Sequence, residues 1–285
     1  MFDLKLICED IRNIIEDRKK EICLDFIEKD HIYYMKDTDG EVKTTFPSVS
    51  KVIKKFYKDF DSEGISYSMA KGNEIKQKRI LAEWKNSADY SINIGSRTHF
   101  ILEKESLKMF GLEKEVRKPE FDCDLEQTIK SDAMIKGGLR FLNLMKERGA
   151  VLLDTEMILG DPELGYVGTP DKIWLIENQD KTEFGIVCTD YKTNKPKSFK
   201  KKSYTDNMFP PFDDYPNNAL GHYYVQLPLY MRLFLKMLKD SKYANIKLYG
   251  CILAHLLDDA SFNEYRVPKD VIDKTFKLDI KKHLK

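Results

Sequence analysis

The chain has 285 residues, 42% of them hydrophobic and 33% charged, with 48 Lys and Arg against 47 Asp and Glu. That length and apolar content suffice for a sizeable core and exclude the disorder signature of low hydrophobicity with high net charge. A formal net charge of +1 supplies no bulk attraction to nucleic acid, so any such surface must be local. The five cysteines, Cys8, Cys23, Cys123, Cys188 and Cys251, are odd in number, widely spread and without a CxxC pair. They read as reduced thiols of a cytosolic protein rather than as a disulfide or zinc framework. The opening MFDLKLICEDIRNIIEDRKK carries early acids and no long apolar stretch, unlike a signal peptide. No run approaches the roughly 18 apolar residues of a membrane span. Cytoplasmic localisation is expected (host cytoplasm for a viral chain), with no membrane partner.

Residues 3–20 alternate apolar and charged positions with helical period. Ile32 to Lys36 and Glu41 to Phe46 read as strands joined by a DTDG turn (37–40), a hairpin. Pro47 opens PSVSKVIKKFY, a helix with Ser48 or Ser50 near its cap. Residues 66–110 and 125–148 read as helical. At Ala150 the character changes: VLLDTEMIL, GYVGTPDKIWLI and FGIVCTDYK are β-rich, separated by turn residues, and read as consecutive strands of one sheet. The stretch 193–218, rich in Lys, Pro, Asp, Asn and aromatics, has the length of a functional or disordered loop. HYYVQLPLYMRLFLKML (222–238) reads as an apolar helix with Pro228 inside or near its first turns, and NIKLYGCILAHL and SFNEYRVP as further strands. A helical first half and a sheet-rich second half predict an α/β protein with an N-terminal helical elaboration.

Asp171 lies in GTPDKIWLI and Asp190 in VCTDYKT, each at or near a predicted strand. Lys192 is two residues past Asp190, so in a strand both side chains share a face. If the two strands are neighbours, two carboxylates and an ammonium converge. Such a group suits phosphodiester hydrolysis: carboxylates hold a hard divalent cation, and lysine adds positive charge near the nucleophile or the developing phosphorane. Asp-x-Lys alone is a weak motif, and the weight falls on the surrounding pattern.

That pattern resembles the PD-(D/E)XK nucleases of the RecB type, in particular the branch that includes mitochondrial genome maintenance and phage exonucleases. The resemblance runs from about Phe46 to Leu257 and rests on motifs in family order. GSRTHFILE is similar to Gly-x-x-x-His-x-x-x-Glu, which implies that His99 is a metal-associated histidine with Glu103 one turn on to support it. Glu156, in DTEMIL, corresponds to an acid of the first core strand, with Asp154 competing for that role. Asp171 corresponds to Gly-x-x-Asp, Asp190 and Lys192 to Asp-x-Lys, and Gln226 and Tyr230, in QLPLY, to Gln-x-x-x-Tyr. PSVSKVI is similar to a segment ahead of the family's helical region.

The resemblance implies a restriction-endonuclease-like mixed sheet flanked by helices. Residues 1–149, hairpin and helices, would roof the site, and 150–285 would form the nuclease core of one compact unit. It implies that His99, Glu156, Asp171 and Asp190 bind Mg²⁺ or Mn²⁺, that Lys192 positions or activates water, and that Gln226 and Tyr230 touch the DNA backbone. No late cysteine cluster is present, so an iron–sulfur cofactor is not expected.

The run Lys195, Lys197, Lys200, Lys201 and Lys202, with Phe199, Tyr204, Phe209, Phe212 and Tyr215 around it, suggests phosphate tracking and base stacking along a threaded strand. The expected function is a DNA exonuclease acting on a free strand end, single-stranded by preference. The alternatives are a structure-specific or restriction-like endonuclease, an inactive nucleic-acid-binding module, and an α/β protein of unrelated chemistry. No G-x-G-x-x-G, GxxxxGK[ST] or HExxH supports a nucleotide or zinc enzyme.

Overall fold

A computed structural model describes residues 2–27, 32–36, 42–200 and 206–284. Helix α1 (Leu4–Glu21) is capped by Asp3, whose carboxylate accepts the Leu6 amide at 3.2 Å, and it buries the stripe Leu4, Cys8, Ile11 and Ile15. Strands β1 (Leu24–Ile27), β2 (Ile32–Lys36) and β3 (Val42–Phe46) form an antiparallel sheet with β2 in the middle. The expected hairpin is therefore β2–β3, with β1 added along β2; the DTDG turn lies outside the described residues. Ser48, not Ser50, caps α2 (Val49–Ile53).

Asp61 caps α3 (Ser62–Ala70) and Asn73 caps α4 (Glu74–Phe110), a helix of 37 residues. The break between them falls at Lys71 and Gly72, which take φ of 54° and 77°. Asp124 and Gln127 form a reciprocal capping box at the start of α5 (Leu125–Glu147).

Next come β4 (Val151–Thr155), β5 (Leu159–Asp161), β6 (Tyr166–Gly168), β7 (Lys172–Glu177) and β8 (Phe184–Lys192). They are followed by α6 (Pro196–Phe199), α7 (Ala219–Met237), β9 (Lys247–Leu256), β10 (Phe262–Arg266), α8 (Lys269–Lys277) and α9 (Ile280–Leu284). A five-stranded sheet has the order β10-β9-β8-β7-β4, with β8 and β9 parallel and every other pair antiparallel. The parallel pair needs a long crossover, which α6 and α7 supply.

One expectation is corrected. The three β-rich segments hold five strands, and β5 and β6 leave the main sheet to pair with each other. The chain turns at Glu156, which takes φ +44°, and Pro170 cannot donate a ladder hydrogen bond, so β6 and β7 are separate strands.

Side chains alternate across the main sheet. Leu152, Trp174, Val187 and Ile252 pack toward α4 and α5, while Leu153, Ile173, Cys188 and Cys251 join α1, α2, α7 and α8 in the larger core. Helix α1 packs on β4 and β7. A register shift between Leu152 and Asp154 re-aims the end of β4, so that Thr155 pairs with Lys172. No helix among the described residues is long and apolar enough to cross a membrane.

Helix α5 approaches the β9–β10 turn so closely that a Cβ on Gly137 would lie 2.6 Å from the Ser261 carbonyl oxygen, a backbone atom that cannot swing aside. Gly137→Ala is therefore expected to destabilise by about 1–3 kcal/mol, in spite of alanine's better helix propensity. Thermal unfolding should show a Tm lowered by several degrees, with the exposed neighbour Lys136→Ala unchanged. An unaltered Tm for Gly137→Ala would contradict this packing.

Candidate metal centre and active site

Four chain segments converge at one end of the main sheet. Asp171 directly precedes β7, Asp190 and Lys192 end β8, Glu156 follows β4, and His99 projects from α4. Strands β7 and β8 are antiparallel neighbours, which is the pairing that lets Asp171 and Asp190 approach. The Tyr191 amide donates to Asp171 Oδ2 at 2.7 Å, tying that carboxylate to the end of β8. His99 Nδ1 lies 3.3 Å from the same oxygen. The Glu156 amide donates to the Asp171 carbonyl at 3.1 Å, and the positive φ of Glu156, uncommon for a residue with a Cβ, turns its side chain into the cluster. The ligand atoms of His99, Glu156 and Asp171 all lie within 4.8 Å of one another, a group able to hold a metal ion.

Asp190 stands beside this triad rather than in it. Its side chain is 3% exposed, and Oδ2 has the Lys192 ammonium against it and no other hydrogen-bonding partner. Lys192 Nζ also sits 4.2 Å over the Tyr223 ring. The Tyr223 hydroxyl donates to Asn194 Oδ1 at 3.1 Å.

The charges are unevenly answered. Burial, and then the charge of Asp171, push Asp190 up to about 6 from an ordinary 3.8. Burial, then Asp171 and Glu103, raise Glu156 well above the carboxylate range. Burial also acts to raise Asp171, but His99 and the lysines outweigh it and hold that carboxyl below the usual range. Lys192 is held above its ordinary range by Asp190 against the effect of burial. Asp190 is raised even so, because burial and Asp171 together exceed what one ammonium offsets. Carboxyls that repel one another, an imidazole and a buried oxygen answered by a single ammonium make a donor set that suits a divalent cation.

A cavity of about 880 Å³ opens on the cluster, lined by Gly95, His99 and Phe100 of α4, by Lys114 and Arg117, and by Glu156, Lys192 and Tyr223. Another cavity, of about 760 Å³ and more apolar, lies at the far end of the sheet against α8 and shares none of these residues.

The other expected residues are placed as follows. Gln226 Nε2 donates to Tyr230 Oη at 2.7 Å. Tyr230 is buried, and its ring lies where a Cβ on Gly168 would come within 2.5 Å. Its phenol is raised by burial and then by Asp190. Lys195, Lys197 and Lys200 are exposed and do not line the 880 Å³ cavity; Lys200 Nζ sits 4.4 Å over the Tyr265 ring. Lys201, Lys202 and Tyr204 lie outside the described residues.

Phe199 and Phe212 are buried, stacked on His255 at 4.0 Å and edge-on to Phe56 at 5.3 Å, which removes them as base-stacking platforms. Phe209 is exposed, and the Tyr215 hydroxyl donates to Asp270 Oδ1 at 2.8 Å. Glu103, expected to support His99, instead accepts the Thr155 hydroxyl at 3.1 Å. Asp154 pairs with Lys114 at 2.9 Å and leaves the acid position to Glu156. Sequence reasoning missed Lys172, a buried lysine 4.2 Å over the Tyr191 ring. The signal for it was a lysine opening the otherwise apolar strand KIWLI.

Two outcomes follow from this electrostatic balance. A carboxyl raised to about 6 contributes stability that is present below the ordinary carboxylate range and lost as pH rises through about 6. A bound cation opposes that loss, so the gain in Tm on adding Mn²⁺ should be larger at about pH 7.5 than at about pH 5, where protons compete for the site. An equal gain at both would contradict the balance described. Glu156→Gly relieves a left-handed backbone that costs about 1 kcal/mol and removes a half-buried acid. Its metal-free Tm should hold or rise while the Mn²⁺ response shrinks; a lower metal-free Tm with a full Mn²⁺ response would show that Glu156 is structural.

Compared with known proteins, the chain matches no family model and no curated sequence, so the reading of this centre rests on its own geometry.

Proposed function

We propose that this chain is a metal-dependent deoxyribonuclease of PD-(D/E)XK, RecB-like type, which hydrolyses phosphodiester bonds from a free strand end and prefers single-stranded DNA. The observation that carries the reading is the convergence of His99, Glu156 and Asp171 within 4.8 Å, beside the Asp190–Lys192 pair on the neighbouring strand. The order of motifs along the sequence supports it independently. The support for a free end is the long α4 wall over the cavity, faced by the segment bearing Lys114 and Arg117.

Magnesium or manganese, held by His99, Glu156 and Asp171 with Asp190 alongside, would polarise a phosphoryl oxygen and acidify a water. The protein's own groups do the rest. Asp171 is kept anionic and oriented by His99 and the Tyr191 amide. Lys192, fixed between Asp190 and the Tyr223 face, places positive charge where negative charge builds on the phosphoryl group. Burial of Asp190 and Lys192 in low dielectric makes that charge effective. Gln226, oriented by Tyr230, offers its amide to the scissile strand, and Lys195, Lys197 and Lys200 meet the phosphate backbone farther out.

Chelation with EDTA should abolish cleavage, and added Mg²⁺ or Mn²⁺ should restore it. Lys192→Ala should lower the rate on the order of 10²–10³ with little change in DNA affinity, because its charge acts in the transition state. Cleavage by that variant within a few-fold of wild type would remove Lys192 from this role. Linear single strands should be degraded and covalently closed single-stranded circles of the same sequence spared. Equal degradation of both would replace the exonuclease by an endonuclease on the same metal chemistry.

A further inference from the structure

His255 is buried, and none of the chemistry above uses it. It pairs in register with Lys192 across the parallel β8–β9 ladder, so the two side chains stand on one face of the sheet. Its Nε2 lies 2.7 Å from the Asn194 carbonyl, which can only accept, so Nε2 carries the ring proton. Nδ1 is left bare and has no hydrogen-bonding partner. Phe199 of α6 lies flat against the imidazole, the ring centres 4.0 Å apart. A buried ring nitrogen without a partner is a cost that a leucine at this position would not carry. What the imidazole supplies in return is one donor, and that donor holds the chain where it leaves β8.

Asn194 passes the restraint on. Its side-chain oxygen accepts the Tyr223 hydroxyl at 3.1 Å, and the Tyr223 ring has the Lys192 ammonium 4.2 Å above it. Phe199 also meets the Tyr223 ring, at 6.0 Å, so one aromatic backs both ends of this chain of contacts. Resting on the nuclease reading above, we infer that His255 is a positioning residue for Lys192, acting through Asn194 and Tyr223 without touching the substrate. Lysine is a point charge on a flexible four-carbon stem, so its charge is placed only as well as the groups around it are placed. Asp190 holds the ammonium from within its own strand. The Tyr223 face holds it from α7 by attraction to the ring, and the tilt of that ring is fixed from β9 through Asn194. A donor at 255 thus couples the end of β9 to the one free-ended charge that the chemistry needs in a set place.

The test is a double-mutant cycle on the full chain, read as kcat and KM for cleavage of an end-labelled linear single strand. His255→Leu should lower kcat by about 10-fold or more with KM unchanged, since a group misplaced by about 1 Å costs on the order of 10²-fold. His255→Gln, whose amide can place a donor where Nε2 stands, should recover most of that loss. In a Lys192→Ala background, His255→Leu should cost no more than about twofold, because the charge it positions is gone. The same loss in both backgrounds, a loss confined to KM, or an unchanged kcat in folded His255→Leu would each overturn the inference. Should His255→Leu not fold, Tyr223→Phe removes only a hydroxyl from a half-buried ring, and the same cycle decides. A few-fold loss of kcat that disappears beside Lys192→Ala is expected, and no loss overturns the inference. A wild type that cleaves but is insensitive to these changes leaves the nuclease reading standing. A wild type that does not cleave with Mg²⁺ or Mn²⁺ overturns that reading and the inference with it.

Discussion

The end of the main sheet gathers more carboxyl groups than its own lysines can answer if all are ionised, and that excess constrains the groups around it. Carboxylates at this depth are costly unless paired, hydrogen-bonded or bound to a cation. Asp171 is answered by His99 and the Tyr191 amide, and Asp190 only in part by Lys192. Glu156 and Asp190 are raised as a consequence, while Asp171 is lowered. Neighbouring carboxyls pushed apart in this way mark a site under electrostatic tension, which a bound cation would relieve.

The backbone is shaped to sustain that arrangement. The register shift at Leu153 lets Thr155 face α4 and hold Glu103, and the left-handed turn at Glu156 swings the next acid toward Asp171. Pro170 ends the β5–β6 excursion and delivers Asp171 at the mouth of β7. The parallel β8–β9 pair requires the crossover through α7, and α7 brings the Tyr223 ring to Lys192 and carries the Gln226–Tyr230 pair. Gly168 gives the Tyr230 ring its room. Several local irregularities therefore cluster around one point, although the β8–β9 pair carries a further register shift between Ile186 and Val187.

Much of this was legible in the amino-acid sequence because it depends on short-range periodicity. The two-residue spacing of Asp190 and Lys192 put both on one strand face, and Ser48, one of the two expected caps, stands where α2 begins, whereas the break between α3 and α4 fell inside a stretch read as helical throughout. What was not legible depends on contacts between distant segments. The departure of β5 and β6 from the sheet is decided by where Glu156 and Pro170 sit in three dimensions, not by strand propensity. An aromatic-rich loop composition cannot separate Phe199 and Phe212, which are core, from Phe209, which is exposed. Glu103 was paired with His99 by helical spacing, but a β-bulge elsewhere in the chain supplies its real partner. Lys172 was not singled out, because its burial depends on the elements that cover that face of the sheet.

The account turns on whether this end of the sheet gathers a divalent cation. Anomalous diffraction from crystals of the protein soaked in Mn²⁺ tests that directly. The expected result is a peak at coordinating distance from His99, Glu156 and Asp171, with the Asp190 carboxylate turned toward it and away from Lys192. A triad that shows no peak at millimolar Mn²⁺ concentration, or a peak held elsewhere in the chain, would contradict the account.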